Sequence, residues 1–107
     1  CYTGTHDNAP LALWCAEAGA VELAFAKKYL GLNEEEGFVN GIIRGGMSCG
    51  SRLFIAQMQD WLSLGEGSRM NTPGTDRGNW QWRLLPGEAS EDLAARIREM
   101  TRIYGRA

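Results

Sequence analysis

Apolar residues recur at helical spacing through the first third of the chain. They stand three or four positions apart, as on one face of an α-helix; they are Trp14, Ala18, Val21, Phe25 and Tyr29. Asn8 and Pro10 favour a helix start just before this stretch, because Asn caps a first turn well and Pro fits into one. Gly31 is expected to end the helical region, and Gly19 is a candidate break within it.

Two further helices are predicted downstream. Asn33 is a good N-cap, and the acidic residues 34–36 suit the positive end of a helix dipole. We therefore interpret this acidic run as a helix start rather than as a metal site. Gly45 and Gly46 should end this helix, and Ser90 should cap a last one. The apolar stripe of the last helix consists of Leu93, Ile97, Met100 and Tyr104.

Two short β-strands are also predicted. Residues 2–5 are aromatic, β-branched or small, and residues 53–57 are almost wholly apolar, as in a strand covered on both faces. Since helices separate these strands, we expect them to pair in parallel. The element order indicates an α/β fold of two βα units, which is a fragment of a barrel or sheet. The chain also begins at Cys1, directly on a strand, so we expect residues 1–107 to be a single segment of a longer protein.

Composition and charge exclude several classes of protein. Hydrophobic residues make up 44% and charged residues 22% of the chain, and the formal net charge is −2. No basic stripe points to nucleic acid, and the apolar runs are far shorter than the roughly 20 residues of a membrane span. The widely spaced Cys1, Cys15 and Cys49 form neither a disulfide framework nor a zinc signature. We expect them to be reduced thiols of a cytoplasmic protein.

The only histidine, His6, stands beside Asp7 just after the first predicted strand. In parallel α/β barrels the chemistry is carried at this end of the strands, so the pair is a candidate site. The alternative is that the two residues only cap the following helix. We expect adjacent side chains to diverge, which makes a triad between them improbable. A nucleophilic Cys–His pair with Cys15 or Cys49 has no local support.

Two other stretches have possible functions. The segment "RGGMSCGSR" is glycine-rich but matches no phosphate-binding motif, so we interpret it as a helix-to-strand connection rather than a phosphate site. Trp80 and Trp82 stand two apart in "GNWQWR" and would face the same way on an extended segment. They suit stacking on a sugar ring, although such aromatic residues more often belong to a core.

Three blocks resemble a known family. "YTGTHDN", "MQDWLSLGEGSRMNTPGT" and "GNWQWRLLPGE" are similar to the C-terminal part of the amylomaltases, the 4-alpha-glucanotransferases of glycoside hydrolase family 77. The resemblance runs over essentially the whole chain. It implies a (β/α)8 TIM barrel in which residues 2–5 are the seventh strand and residues 53–57 the eighth, so that the chain holds the last two βα units. We expect such a fragment to be helix-rich when isolated.

The same resemblance implies an activity. It is the retaining transfer of α-1,4-glucan segments between glucans or to glucose, with maltooligosaccharides, starch or glycogen as partners. No metal and no organic cofactor is implied. The alternative is a non-catalytic carbohydrate-binding or interaction module, should the chain exist naturally alone. Ala9 and Pro10 stand where the family often has an acidic residue and Thr, so local loop contacts are expected to differ there.

The resemblance also implies roles for three residues. Asp7 matches the family's third catalytic carboxylate, which binds the 2- and 3-hydroxyls of the glucose at the cleavage point. His6 matches a histidine that binds the same sugar, and Asn71 matches a substrate-contacting asparagine. The nucleophile and the acid/base residue lie upstream in the family, and neither Asp60 nor Glu66 matches them. We therefore expect the isolated chain to be inactive. We also expect it either to self-associate through its unpaired strand edges or to rearrange into a helix-rich packing that hides Phe54 and Ile55.

Overall fold

The computed structural model describes all residues, 1–107, and is dominated by helices. Its elements are α1 (Leu11–Glu17), α2 (Ala20–Leu30), α3 (Phe38–Ser48), α4 (Met58–Trp61) and α5 (Glu91–Ile103). β-structure is limited to one parallel bridge, between Tyr2 and Ile55. None of the helices is both long enough and apolar enough to cross a membrane. The expected helix-rich character is confirmed.

The two predicted strands meet in parallel but do not form a ladder. Thr3 N–H donates to the Ile55 carbonyl at 3.0 Å, and Ile55 N–H donates to the Cys1 carbonyl at 2.9 Å. The backbone pairing ends after these two bonds, because the Gln57 N–H donates to the hydroxyl of Thr3 instead of to a backbone carbonyl. The predicted strands 2–5 and 53–57 are therefore wrong as regular strands. A pair without neighbours on either side is marginal in water.

The glycine signals of the first helical region are confirmed, and the spaced apolar residues of α2 share one helix face, but that face is exposed. The region divides at Gly19 into α1 and α2, and Gly31, at φ 66°, ends α2. Val21, Phe25 and Tyr29 are 83%, 68% and 77% exposed, so the spaced apolar residues of α2 do not enter the core. Helical spacing identifies a face of a helix, but it does not say what that face meets.

The N-terminus of α1 is capped by a remote carboxylate. Asn8 does not cap α1, contrary to expectation, because its Oδ1 accepts the N–H of Thr5 at 2.7 Å. Instead the Leu11 N–H donates to Oδ1 of Asp60 at 2.7 Å, and the other oxygen of Asp60 accepts the Thr3 hydroxyl at 2.6 Å. Asp60 is completely buried. This carboxylate therefore joins α4 to both flanks of the segment that carries His6.

Helix α3 begins later than predicted. Asn33 Oδ1 accepts the Glu36 N–H at 2.7 Å and so closes a turn, and the helix itself starts at Phe38. Asn33 therefore caps a turn, not a helix. The Glu36 carboxylate binds the Arg44 guanidinium at 2.8 and 3.1 Å, and Arg44 also donates to the Leu30 carbonyl at the end of α2. The acidic run thus supplies an ion pair to α3.

The glycine pair in α3 serves packing, not termination. Helix α3 continues to Ser48, past the end predicted at Gly45 and Gly46. The Phe54 ring lies against Gly46, and Leu30 of α2 lies against Gly45, at positions that a Cβ atom would occupy. Both contacts need a residue without a side chain. They bring α2 and the 53–57 segment close to α3.

The core forms around α3 and is closed by α5. Ser90 caps α5 as predicted, since its hydroxyl accepts the Leu93 N–H at 3.1 Å. Met100 and Tyr104 of the predicted stripe pack against the core, and Leu93 is buried. The central cluster consists of Leu11, Val39, Ile43 and Met47.

Candidate functional site

A tight turn over residues 5–8 presents His6 and Asp7. The Asn8 N–H donates to the Thr5 carbonyl at 3.0 Å, while the Asn8 side chain accepts the Thr5 N–H. His6 Nε2 lies 3.3 Å from Asp7 Oδ1, and both side chains are about half exposed. The expectation that these side chains diverge is therefore wrong. The turn curves the backbone so that both project to one side.

Asn71 completes a cluster with the two residues of the turn. Its Nδ2 donates to Oδ1 of Asp7 at 2.7 Å, although 64 positions separate the two residues. Oδ1 of Asp7 therefore faces both His6 and Asn71, whereas Oδ2 accepts no hydrogen bond from the protein. The structure brings together His6, Asp7 and Asn71, the three candidate residues.

Arg69 ties the same two segments together through their backbones. Its Nη2 donates to the Asp7 carbonyl at 2.8 Å, and its Nε donates to the Asn71 carbonyl at 2.9 Å. Sequence reasoning missed this residue. The only feature that draws attention to Arg69 in the sequence is its place two positions before Asn71, in the block "MQDWLSLGEGSRMNTPGT". Nothing in that spacing indicates a contact with Asp7.

Trp80 forms a wall beside His6. The two ring centroids are 4.8 Å apart, with an interplanar angle of 43°. Trp80 is 52% exposed, so the interpretation of this residue as part of the core is wrong. Its φ of 61° also breaks the extended segment that the spacing of Trp80 and Trp82 suggested. Trp82 instead lines a hollow with Leu64 and Leu85.

The loop between Asn71 and Trp80 is folded onto itself. The Thr72 N–H donates to Oδ1 of Asn79 at 2.9 Å, and Asn79 Nδ2 donates to the Thr75 carbonyl at 3.2 Å. The Trp80 N–H closes the loop on the Met70 carbonyl. This closure sets the indole ring of Trp80 beside the same turn that Asn71 contacts.

Comparison with known proteins decides the family. Residues 1–88 match the family model described as 4-alpha-glucanotransferase. The chain belongs to this 4-alpha-glucanotransferase family. The resemblance of the sequence to glycoside hydrolase family 77 is thereby confirmed.

Relatives of known name support the assignment over nearly the whole chain. A 4-alpha-glucanotransferase from Clostridium butyricum is 43% identical over 98% of this chain, and one from Thermus thermophilus is 44% identical over 92%. The chain spans only 22% and 21% of the lengths of these two relatives. It therefore corresponds to a short part of each glucanotransferase.

A solved structure has the same fold as this chain. The amylomaltase from Streptococcus agalactiae in complex with acarbose matches 99% of this chain, and 21% of its own, with a TM-score of 0.93 and 35% identity. The segment therefore has an amylomaltase fold, even though it contains only one β-bridge.

The cysteines of the chain do not take part in the cluster of His6, Asp7 and Asn71. All three are unpaired, and the contacts of His6 are with Asp7 and Trp80 rather than with a thiol. Burial, with the charge of Asp60 adding to it, raises the pKa of Cys15. Hydrogen bonds from Ser51 lower the pKa of Cys49.

The glycine-rich "RGGMSCGSR" segment offers carbonyls rather than N–H groups. Arg106 donates to the carbonyls of Met47, Cys49 and Ser51 at 2.8, 3.1 and 3.1 Å. A phosphate cradle would instead require converging N–H donors. This contact caps the C-terminus of α3 with a guanidinium, which suits the negative end of the helix dipole.

Proposed function

We propose that the protein containing this chain is a 4-alpha-glucanotransferase. It would transfer α-1,4-glucan segments, with retention, between glucans or to glucose, and its substrates would be maltooligosaccharides, starch or glycogen. Family membership and the names of the relatives support this activity. The single observation that carries the local part of the proposal is the convergence of His6, Asp7 and Asn71.

Asp7 would act by binding two hydroxyls of the sugar at the cleavage point. Its Oδ1 is held by Asn71 and faces His6, while Oδ2 accepts nothing from the protein and is half exposed with the rest of the side chain. The carboxylate is thus oriented and still has acceptor capacity. Hydrogen bonds to ring hydroxyls strengthen as the sugar approaches an oxocarbenium ion, and they contribute several kcal/mol to the transition state.

His6 and Asn71 would complete the sugar contact. The imidazole lies between Asp7 and the indole of Trp80, so its ring plane is constrained on two sides. It would donate to, or accept from, a hydroxyl of the same glucose. Asn71 would contact substrate through its amide oxygen or the second N–H of Nδ2, because Asp7 accepts only one of the two N–H groups.

The two other catalytic carboxylates would come from outside this chain. Retaining transfer requires a nucleophile and an acid/base residue about 5 to 5.5 Å apart. Asp60 is fully buried and uses both oxygens in structural hydrogen bonds, so it is unsuited to either role. Glu66 is exposed and makes no ion pair. We propose that residues 1–107 on their own have no transferase activity.

Within the whole enzyme, residues 1–107 would form a single segment with the last two βα units of a barrel. The parallel bridge between Tyr2 and Ile55 supports this arrangement, because neighbouring barrel strands pair in parallel. Ile55 of this bridge and the nearby Leu53 have exposed apolar side chains. Further strands on both sides would pair with the free backbone edges and lengthen the ladder.

We also propose a cytoplasmic location for the bacterial type of this enzyme. Three unpaired thiols support a reducing compartment. The potato relative, 41% identical over 98% of this chain, is described as chloroplastic/amyloplastic, so location differs within the family. Neither nucleic acid nor a membrane is part of the proposed set of partners.

The test is an assay of the whole gene product that carries this chain. The purified protein is incubated with maltotriose, and glucose and longer oligosaccharides are followed by chromatography. We expect both products from the whole protein and neither from residues 1–107. A whole protein that binds maltooligosaccharides without lengthening them would overturn the proposal and favour a non-catalytic carbohydrate-binding module.

A further inference from the structure

The segments that carry Asp7 and Asn71 meet at the guanidinium of Arg69. The turn that carries Asp7 and the irregular segment that carries Arg69 and Asn71 are joined by two hydrogen bonds, from Asn71 Nδ2 to the Asp7 side chain and from Arg69 to the Asp7 carbonyl. The same guanidinium also donates to the Asn71 carbonyl of its own segment. The planar fork of an Arg side chain fixes the directions of its donors. Arg69 therefore sets the relative position of the two backbones and does not merely neutralise a charge.

This geometry has a consequence for the carboxylate of Asp7. The Asp7 carbonyl is bonded to Arg69, so the peptide plane that follows the Asp7 side chain cannot rotate freely. The 2.7 Å bond from Asn71 Nδ2 to Asp7 Oδ1 in turn depends on where that plane lies. Misplacing a catalytic group by about 1 Å can reduce a rate by about 100-fold.

We propose that Arg69 is a positioning residue for glucan transfer. It acts through the backbones of Asp7 and Asn71 and makes no contact with the reacting sugar. This inference rests on the proposed function, because it assigns Arg69 a role in the transfer reaction. It also makes a separate structural claim. The hydrogen bond between Asp7 and Asn71 requires the two bonds from Arg69 to the backbone carbonyls of these residues, which we call the Arg69 clamp.

The kinetic test uses three variants of the whole protein. Arg69→Met removes both donors but keeps the length of the side chain, and Arg69→Lys keeps a charged donor without the planar fork. Arg96→Met is the matched control, because Arg96 likewise donates to a backbone carbonyl, that of Trp61 at 2.6 Å, but makes no bond to the segments that carry Asp7 and Asn71. The rates and the melting temperatures of all three variants are compared with those of the wild type, with maltotriose as donor.

We expect Arg69→Met to lower kcat by about 10- to 100-fold, with donor KM changed less than about 3-fold. Arg69→Lys should recover part of this loss, and Arg96→Met should leave kcat unchanged whatever its melting temperature. Equal kcat losses in Arg69→Met and Arg96→Met would overturn the proposal. A raised KM with unchanged kcat would also overturn it, because Arg69 would then bind substrate directly.

A double mutant tests whether Arg69 acts through Asn71. The Asn71→Ala substitution retains the backbone carbonyl that Arg69 binds but removes the bond to Asp7. If Arg69 only places this pair, then adding Arg69→Met to Asn71→Ala should lower kcat by much less than Arg69→Met does alone. Fully multiplicative losses would overturn the proposed route.

A crystal structure of the Arg69→Met whole protein separates this inference from the proposed function. We expect the distance from Asn71 Nδ2 to Asp7 Oδ1 to exceed hydrogen-bonding range in that variant. If the bond persists, the clamp is refuted even in an active enzyme. If the wild-type protein shows no transfer but the bond is lost in the variant, the proposed function fails while the clamp stands as a structural device.

Discussion

Trp80 and His6 lie ring against ring, 4.8 Å apart, on segments that are far from each other in the sequence. The Trp80 indole covers one side of the imidazole, and the adjacent Asp7 carboxylate lies 3.3 Å from Nε2. An exposed histidine on a tight turn would otherwise sample several rotamers. The tryptophan restricts it to orientations that keep it beside Asp7.

Removing the indole should therefore weaken the site without unfolding it. We expect Trp80→Ala to lower kcat/KM for maltotriose by about 2- to 10-fold, the size of one aromatic contact. Trp80→Phe should recover most of the loss, because it keeps a ring beside His6. Trp82→Ala is the control, since Trp82 lies in a separate hollow. An equal effect of the two alanine substitutions on kcat/KM would refute a specific role for Trp80.

Asp7 should matter more for turnover than for binding. In the whole protein we expect Asp7→Asn to lower kcat by more than about 1000-fold with a much smaller change in donor affinity, because its bonds favour the transition state. His6→Ala should lower kcat less, by about 10- to 1000-fold. Steady-state kinetics with maltotriose measures both. Unchanged turnover in Asp7→Asn would exclude the role proposed for this carboxylate.

The thiols should differ in their pH dependence of alkylation. Hydrogen bonds from Ser51, with help from the Arg106 charge, lower the pKa of Cys49, whereas burial and the Asp60 charge raise the pKa of Cys15. A lower pKa means more thiolate at a given pH, and thiolate is the reactive form. Iodoacetamide labelling at Cys49 should begin at a lower pH than at Cys15, as followed by peptide mass spectrometry. Earlier labelling of Cys15 would contradict this order.

Asp60 should contribute strongly to stability. Asp60→Ala leaves the buried Leu11 N–H without an acceptor, at a cost of about 2 to 3 kcal/mol in the free energy of unfolding. Asp60→Asn should cost less, because its amide oxygen still accepts that N–H and the Thr3 hydroxyl can turn to accept from the new NH₂ group. Urea denaturation compares them, with the exposed Glu66→Ala as a near-neutral control. A neutral Asp60→Ala would disprove the capping role.

The isolated segment should self-associate. Leu53 and Ile55 are exposed beside a single β-bridge, and such edges recruit other chains. Light scattering of residues 1–107 should give a mass above that of the monomer. Leu53→Lys should shift the population towards monomer, whereas Leu84→Lys, at an exposed leucine away from the bridge, should not. A stable wild-type monomer would contradict this packing argument.

Some local signals predicted the structure correctly, whereas those for caps at Asn8 and Asn33 and for a helix end at Gly45 and Gly46 did not. Ser90 caps the helix that follows it, and Gly19 and Gly31 divide and end a helical region, because each effect reaches only a few residues. The cap of α1 could not be predicted in this way, since its acceptor Asp60 is 49 positions from Leu11. Predicted strands failed for a related reason, because a ladder depends on neighbouring strands.

The candidate site shows the same limit. The resemblance singled out His6, Asp7 and Asn71, and the structure brings them together. Arg69 was missed because its targets are backbone carbonyls, and any residue type can offer a carbonyl. No side-chain pattern in the sequence therefore marks the partner of such an arginine.

The two bonds of Asp60 also make the turn a closed loop. Thr3 and Leu11 are bound to opposite oxygens of one carboxylate, so the seven residues between them are fixed at both stems. The hydrogen bonds at the two stems offset the entropic cost of closing the loop, and this cost changes only slowly with loop length. Ala9 and Pro10, where this chain departs from the family pattern, lie inside this loop rather than at the two bonded stems. Its tip, with His6 and Asp7, can keep its geometry while the sequence below it diverges.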